Sequence, residues 1–439
     1  MPDLNGRSDR VPGSPGELLY WLSMRDLSDS VNAVLEREAP ALLRALSPLG
    51  RRAAFPPGAA ENNGRRDLPR MPGTLAEALG GLSPEDREQA AAPSPVAGLS
   101  EVRRRWREWQ RRTVDSVVPS SLPVVTAGLS HGLSLIADLF GGEGRAVATP
   151  EPFWGNYRQA FATRTGARIL TAPAYRDGRF NPGALAEALA DLPDGEPAVG
   201  LLNLPSNPGG YSLTDAERQE ARDFLLEVAG RRPFVVVCDD AYAGLVFEPE
   251  ISAASLFWDL IGAHPNLIPV KIDGATKEFS FFGGRIGFLT FGVEPESEVA
   301  HALESKLSML IRSSVGWPVS ASQVVLLQAL RRPGIEAEIE TVRQLLEGRY
   351  RALRDALAQA DPRRLTVLPF NSGCFALVEI PEGLTSSQAR RHLLDRHGVG
   401  LISLEPRYLR IAHCSVDAAA LPEMVERMER GIAELSELL

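Results

Sequence analysis

A primary amine set in an apolar, glycine-bearing stretch can form an imine with a carbonyl compound, and this chain keeps few amines. Lysine occurs only as Lys271, Lys277 and Lys306 among 47 lysines and arginines. Arginine replaces lysine as a surface charge but never as a deprotonatable nucleophile, so a lysine that survives such a bias is a candidate for chemistry. Lys277 stands in Val270-Lys271-Ile272-Asp273-Gly274-Ala275-Thr276-Lys277-Glu278-Phe279-Ser280-Phe281-Phe282-Gly283-Gly284-Arg285. The setting suits an amine that bonds a carbonyl carbon; an arginine-rich composition that left three lysines by chance reads the same residues without function.

Other side chains of useful chemistry sit at comparable places. Val125-Thr126-Ala127-Gly128-Leu129-Ser130-His131-Gly132-Leu133 runs from a strand through glycine into a helix. Free N–H groups at that helix start, with the Ser130 hydroxyl, make an anion site; the plainer reading is a strand-to-helix turn capped by serine. Arg285 is a second anion ligand or half of a buried ion pair. Trp154 follows a strand ending at Thr149 and either stacks on a planar ligand or packs the start of a helix. Asn203-Leu204-Pro205-Ser206-Asn207-Pro208-Gly209-Gly210 is first a tight turn and becomes functional if the Asn207 amide faces a ligand oxygen. Asp239-Asp240-Ala241-Tyr242 ends the apolar run Phe234-Val235-Val236-Val237-Cys238. One of its carboxylates can hold a protonated ring nitrogen and Tyr242 can donate to an oxygen, or the two acids cap a helix.

These residues need a scaffold that gathers strand ends. Short β-branched runs predict strands at Leu122–Thr126, Arg145–Thr149, Ala167–Thr171, Val199–Leu204, Phe234–Asp239, Leu267–Ile272 and Arg285–Phe291, with helices starting at Ser130, Trp154, Pro182, Thr214 and Ser255 between most of them. Apolar strands alternating with helices imply an α/β fold with a mostly parallel sheet covered on both faces. Ligands of such sheets bind at the carboxyl ends of the strands, where Asp239 emerges. Helix is predicted from Pro295 to Arg312 and from Ser320 to Ala360. A smaller α/β segment follows, with strands near Leu365–Leu368, Cys374–Glu379, Val399–Ser403 and Tyr408–Ile411 and a helix from Asp417. Ahead of the sheet come a disordered lead-in over 1–15, a helical pattern from Pro15 to Leu46, a turn-rich stretch from Phe55 to Gly73, a short helix near Leu75–Leu79 and an amphipathic helix from Leu99 to Val114.

Composition narrows the function classes. The 439 residues are 44% hydrophobic and 23% charged, with a net charge of −9, which points away from a nucleic-acid partner. The clusters Arg103-Arg104-Arg105 and Arg111-Arg112 read as a solvated helix face. Cys238, Cys374 and Cys414 are odd in number and widely spaced, so neither a disulfide framework nor a CxxC metal pair is expected, and a reducing, cytoplasmic setting is. No metal site is read from the sequence. No apolar run reaches the length of a membrane span, and the polar N-terminus does not read as a signal peptide.

In order, the chain offers a phosphate turn, an aromatic, an asparagine turn, a strand-end acid with tyrosine, a lysine and an arginine. From about Leu99 onward it resembles pyridoxal-phosphate enzymes of the aspartate aminotransferase fold, the class I/II aminotransferases of fold type I. The resemblance implies that Lys277 forms the cofactor Schiff base, Asp239 pairs with the pyridine nitrogen, and Tyr242 and Asn207 face the phenolic oxygen. Trp154 would stack on the ring, while Gly128, Leu129, Ser130 and Arg285 hold the phosphate. Arg410 in Tyr408-Leu409-Arg410-Ile411-Ala412 would clamp the substrate α-carboxylate, which a guanidinium fork fits at two points. Arg312 resembles the arginine that reaches a neighbouring subunit's site, and also reads as an interface ion pair. The implied enzyme is a homodimer that moves an amino group between an L-amino acid and a 2-oxo acid.

The same cofactor would serve decarboxylation, elimination, oxidation or cyclisation, and departures from the family pattern bear on that choice. Pro93 stands where many relatives carry a tyrosine for the partner's phosphate, Gly274 stands where a serine is common, and no glycine-containing entrance segment is identified in residues 55–95. A regulatory protein on this fold would carry a DNA-binding domain, and the first 95 residues lack a helix-turn-helix pattern. The implied divisions are 1–15, an arm over 16–95 that includes part of the small domain, a large cofactor domain over 96–325 and a small domain over 326–439.

Overall fold

The computed structural model describes residues 72–114 and 118–437. The lead-in, the helical pattern to Leu46 and all but the end of the turn-rich stretch lie outside the described residues. Nine strands come first: β1 (Val124–Thr126), β2 (Ala146–Glu151), β3 (Arg168–Pro173), β4 (Tyr175–Arg176), β5 (Arg179–Phe180), β6 (Ala198–Asn203), β7 (Phe234–Asp239), β8 (Leu267–Asp273) and β9 (Gly287–Phe291). Seven of them form one sheet in the order β1-β9-β8-β7-β6-β2-β3, while β4 and β5 make a separate hairpin. The pairs from β8 through β3 are parallel, and β9 runs antiparallel to both β8 and β1.

Covering both faces explains the continuous apolar strands. On one side the helix Leu129–Phe140 sets Leu133 and Ile136 against Val199, Val237 and Val270, joined by Leu307 and Ile311 of the helix Glu298–Ser314. On the other, Leu225 and Val228 of the helix Asp215–Arg231 meet Val236 and Cys238. Parallel register then aligns the outgoing ends: Asn203 lies opposite Asp239, and Asp239 opposite Ile272. Lys277 follows the end of β8 by one helical turn, in the short helix Ala275–Glu278.

A second, wholly antiparallel sheet has the order β10 (Thr366–Val367), β11 (Ala376–Glu379), β13 (Tyr408–Ile411), β12 (Ile402–Leu404). The helices Ile335–Leu357, Ser386–His397 and Leu421–Glu437 cover it, with Leu353, Leu393, Leu409, Val425 and Met428 in its core. Among the described residues no helix is long and apolar enough to cross a membrane.

Several expected boundaries move for local reasons. The helix expected from Ser320 to Ala360 is two helices, Ser320–Arg331 and Ile335–Leu357, because Pro333 offers no N–H and Gly334 takes φ +95°. The helix expected from Trp154 begins only after it and is π-helical over Arg158–Thr163. Arg285 has φ +50°, a left-handed conformation that a strand cannot continue, so β9 starts at Gly287. The helix Pro84–Ala91 was not expected; Ser83 caps it by accepting from the Asp86 N–H, and Pro84 suits its first turn.

Candidate functional site

The outgoing edge of β6, β7 and β8 carries the polar residues. Asp239 is buried at the end of β7. Its Oδ2 accepts from the Tyr157 hydroxyl at 2.7 Å and its Oδ1 from the Ala241 N–H at 3.2 Å. Asn203, at the end of β6, donates to the Asp239 carbonyl at 2.7 Å and accepts from the Asn207 N–H at 2.6 Å, which ties the asparagine turn to the strand-end acid. No cation pairs with Asp239 among the described residues, and burial pushes its carboxyl up to about 6. Burial likewise raises the Tyr157 phenol, so it stays a donor.

The next residue in sequence takes the opposite course. Asp240 forms a buried ion pair with Lys271, whose Nζ also lies 3.5 Å from Asp273 Oδ2. Asp273 accepts from the Trp106 indole at 2.9 Å and from the Gln110 amide at 3.0 Å. The two acids at the strand end are therefore not equivalent: Asp240 is neutralised and Asp239 is available.

Lys277 has no carboxylate partner among the described residues. Its Nζ lies 5.7 Å from the ring centre of Tyr242 and 5.0 Å from that of Phe282. Tyr242 is buried edge-on to Phe375 at 5.4 Å, and burial raises its phenol well above the ordinary value. Arg410, on β13 of the second sheet, crosses the Phe375 ring at 4.3 Å and donates from Nη1 to Asn207 Oδ1 at 2.7 Å. Its Nε is buried without a partner. A buried guanidinium with an unspent donor is one arranged for an incoming acceptor. Cys374 and Cys414 border the same cluster and hydrogen-bond each other, which together with the Lys277 and Arg410 charges lowers the Cys414 thiol.

At the phosphate turn, the helix Leu129–Phe140 begins after Gly128, with no side chain capping its first N–H groups. Gly128 has φ +85°, and a Cβ there would stand 2.6 Å from Arg285 Nη2, so only glycine lets this guanidinium close on the helix start. Arg285 donates from Nη1 to the Phe282 carbonyl at 3.2 Å. Free amides plus a cation make an anion-binding corner. Ser130 lies within the first turn rather than at the cap. Trp154 is half-buried and stands edge-on to Tyr157, with centroids 5.9 Å apart, next to the Asp239 hydroxyl partner.

Arg312 is not brought into this cluster. It is exposed in the last turn of the helix Glu298–Ser314, followed by exposed Val315, Trp317 and Val319. Sequence reasoning passed over Tyr157, Asn203 and Phe375. For Tyr157 the only available signal was its place three residues after Trp154 (157 − 154), one helical turn along, and nothing in the sequence put Phe375 against Arg410.

Comparison with known proteins identifies the family. The family model described as aminotransferase class I and II matches residues 84–428. An arginine–pyruvate transaminase of Pseudomonas aeruginosa is 29% identical over 316 residues, 71% of this chain and 73% of that protein. A 2-aminoadipate transaminase of Thermus thermophilus is 27% identical over 376 residues, 83% of this chain and 87% of that protein. A crystal structure of an α-aminoadipate aminotransferase from Thermus thermophilus, complexed with N-(5'-phosphopyridoxyl)-L-leucine, superposes with a TM-score of 0.69 at 24% identity, covering 89% of this chain and 100% of that one.

Proposed function

The chain belongs to the aminotransferase class I and II family, and from that premise we propose that Lys277, Asp239, Tyr242, Asn207 and Arg410 are its working residues. It is a pyridoxal-phosphate-dependent aminotransferase that moves an amino group between an amino acid and a 2-oxo acid. The residues present suit this cofactor. Uncapped helix amides and Arg285 fit a phosphate, the buried Asp239 carboxyl lacks a cation that a pyridinium nitrogen would supply, and the Lys277 amine is free of acids.

Bound cofactor supplies an aldehyde for amine exchange and a cationic ring that withdraws electrons from the substrate Cα. The protein's part is positional and electrostatic. Asp239, oriented by Tyr157 and the Ala241 amide, holds the proton on the ring nitrogen. Tyr242, kept protonated by burial, and Asn207 Nδ2, left over once Oδ1 has accepted from Arg410, donate to the phenolic oxygen. Gly128, Leu129, Ser130 and Arg285 hold the phosphate, and Trp154 covers the ring. Arg410 grips the substrate carboxylate, and the Lys277 amine carries a proton to and from the substrate Cα.

The observation that carries this assignment is the difference between two lysines: Lys271 is locked to Asp240, whereas Lys277 lies against Tyr242 with no acid to hold it. Borohydride reduction of the holoenzyme followed by peptide mapping should place a pyridoxyl group on Lys277. A label on Lys271 or Lys306 would overturn the assignment.

The same proposal covers the assembly. A homodimer in which Arg312 reaches the neighbouring site accounts for that arginine beside exposed Trp317 and Val319; sedimentation equilibrium tests it. The same proposal includes a division between the large and small domains near residue 325, which falls inside the helix Ser320–Arg331. Three free cysteines, Cys238, Cys374 and Cys414, support the proposed cytoplasmic location.

A further inference from the structure

Far from the cofactor edge, the chain's sparse histidines are unevenly used. Of six in the sequence, His392 and His397 converge on one carboxylate. Both lie on the helix Ser386–His397, and Glu434 lies on the facing helix Leu421–Glu437. His392 Nε2 is 3.3 Å and His397 Nε2 2.9 Å from the same Glu434 Oε2, and the three ligand atoms fall within 4.8 Å of one another. The two histidines are five positions apart (397 − 392), so the pair lacks the i, i+4 spacing that marks such sites in a sequence.

Two features distinguish this cluster from a chance surface contact. The histidine side chains are 16% and 8% exposed and the carboxylate 46%, so two ligands are fixed by packing and the third faces solvent. Gly431, buried within its helix, makes room for both the core Leu393 and His397: a Cβ there would stand 2.6 Å from Leu393 Cδ2, 2.8 Å from His397 Cδ2 and 3.1 Å from His397 Nε2. Glycine inside a helix is less favourable than alanine, and here it lets Leu393 and the His397 imidazole lie against the opposing backbone.

We propose that His392, His397 and Glu434 bind a divalent first-row transition cation of the zinc class, bridging the last two helices. Zinc takes imidazole nitrogen and carboxylate oxygen at roughly 2.0–2.2 Å in a tetrahedron, whose edges are then about 3.3–3.5 Å. The 3.3 Å from Glu434 to His392 matches that edge, the 2.9 Å to His397 is shorter than it, and all three ligand atoms lie within 4.8 Å, so side-chain rotation has to adjust the remaining spacings on binding. The exposed side of Glu434 leaves the fourth position to water. Each histidine binds as neutral imidazole, and the carboxylate supplies the compensating charge. The cation clamps the helix Ser386–His397 to the helix Leu421–Glu437, and takes no part in amino-group transfer.

The test uses holoenzyme stripped with a chelator, dialysed and titrated calorimetrically with zinc chloride. One zinc ion per chain is expected, with a raised melting temperature, and cobalt(II) should give the intense visible bands of a tetrahedral site. His392→Gln and Glu434→Gln should each weaken zinc binding at least ten-fold while leaving the cofactor absorbance and transamination rate unchanged, which shows that the variants fold. Absence of zinc binding by the native protein, or equal binding by both variants, overturns the proposal. The three side chains would then be a hydrogen-bonded helix contact only.

Discussion

Two clusters of ionisable groups sit around the ends of β7 and β8, their acids adjacent in sequence at Asp239 and Asp240, and they are built on opposite principles. In one, Lys271 is closed in by Asp240 and Asp273, and Asp273 is further satisfied by Trp106 and Gln110. In the other, Asp239 has donors but no cation, Lys277 has aromatic rings but no anion, and Arg410 keeps an unpaired Nε. The first cluster satisfies its groups from within, one ammonium and two neutral donors serving two carboxylates. The second stays competent by leaving charges for a cofactor and substrate to match. A buried charge is therefore informative only together with its partners.

Substitutions can break the contrast from either side. Lys277→Ala removes the amine that the second cluster is arranged around. Transamination should fall by on the order of 10^4-fold, because both cofactor attachment and proton transfer are lost; steady-state rates measure it, with fold retained by circular dichroism. Lys271→Met strands two buried carboxylates and should cost about 3–5 kcal/mol of stability, read as a lower denaturation midpoint rather than a selective loss of turnover. A similar loss of turnover in both variants at unchanged stability would erase the distinction between the clusters.

Asp239→Asn tests the charge that the second cluster holds in reserve. Losing one partner of a buried charge pair costs at least about 2–3 kcal/mol, so kcat should drop roughly 100-fold. Acidity reaches the same group reversibly. The carboxyl has been raised above its ordinary value of 3.8, so as pH falls it takes up a proton near 6. A neutral acid cannot hold a cationic ring nitrogen, and cofactor uptake by the stripped enzyme should weaken below about pH 6; in Asp239→Asn that acid limb should vanish. Stability of the cofactor-free chain responds with the opposite sign. Between about 6 and the ordinary carboxylate range the folded form binds the proton more tightly than the unfolded form, so acidification through that window favours folding. The smallest effect is expected for Tyr157→Phe, which deletes one hydrogen bond to the carboxylate. Its worth is about 1–2 kcal/mol, a loss on the order of ten-fold in kcat.

Much of the scaffold was legible because it rests on repeated local signals. Val235-Val236-Val237 and its neighbours could be little else than buried strands, and parallel register then forced Asn203, Asp239 and the start of the lysine helix onto one edge. Lys277 stands out in the sequence through scarcity. What stayed hidden depends on contacts between distant segments. Asp239 and Asp240 look alike in sequence, and only the placement of Lys271 on the neighbouring strand separates them. The π-helical turns after Trp154 that aim Tyr157 at Asp239 have no compositional mark. The entry point of β9 was misjudged because Arg285 adopts a left-handed backbone that its residue type does not advertise. The helix Pro84–Ala91 was missed although Ser83, Pro84 and two acids in its first turn announce a helix start, because the surrounding polar stretch carries no apolar periodicity.

The single bond from Arg410 Nη1 to Asn207 Oδ1 joins the antiparallel sheet to the turn after β6. It pins one tine of the guanidinium fork and aligns its plane over Phe375, while the buried Nε keeps its donor unspent. On the proposed assignment of Arg410, an arriving amino acid meets a receptor whose torsions are already frozen, and docking it need not rupture the asparagine contact. Selectivity among side chains then has to arise elsewhere, since this anchor greets every α-carboxylate alike.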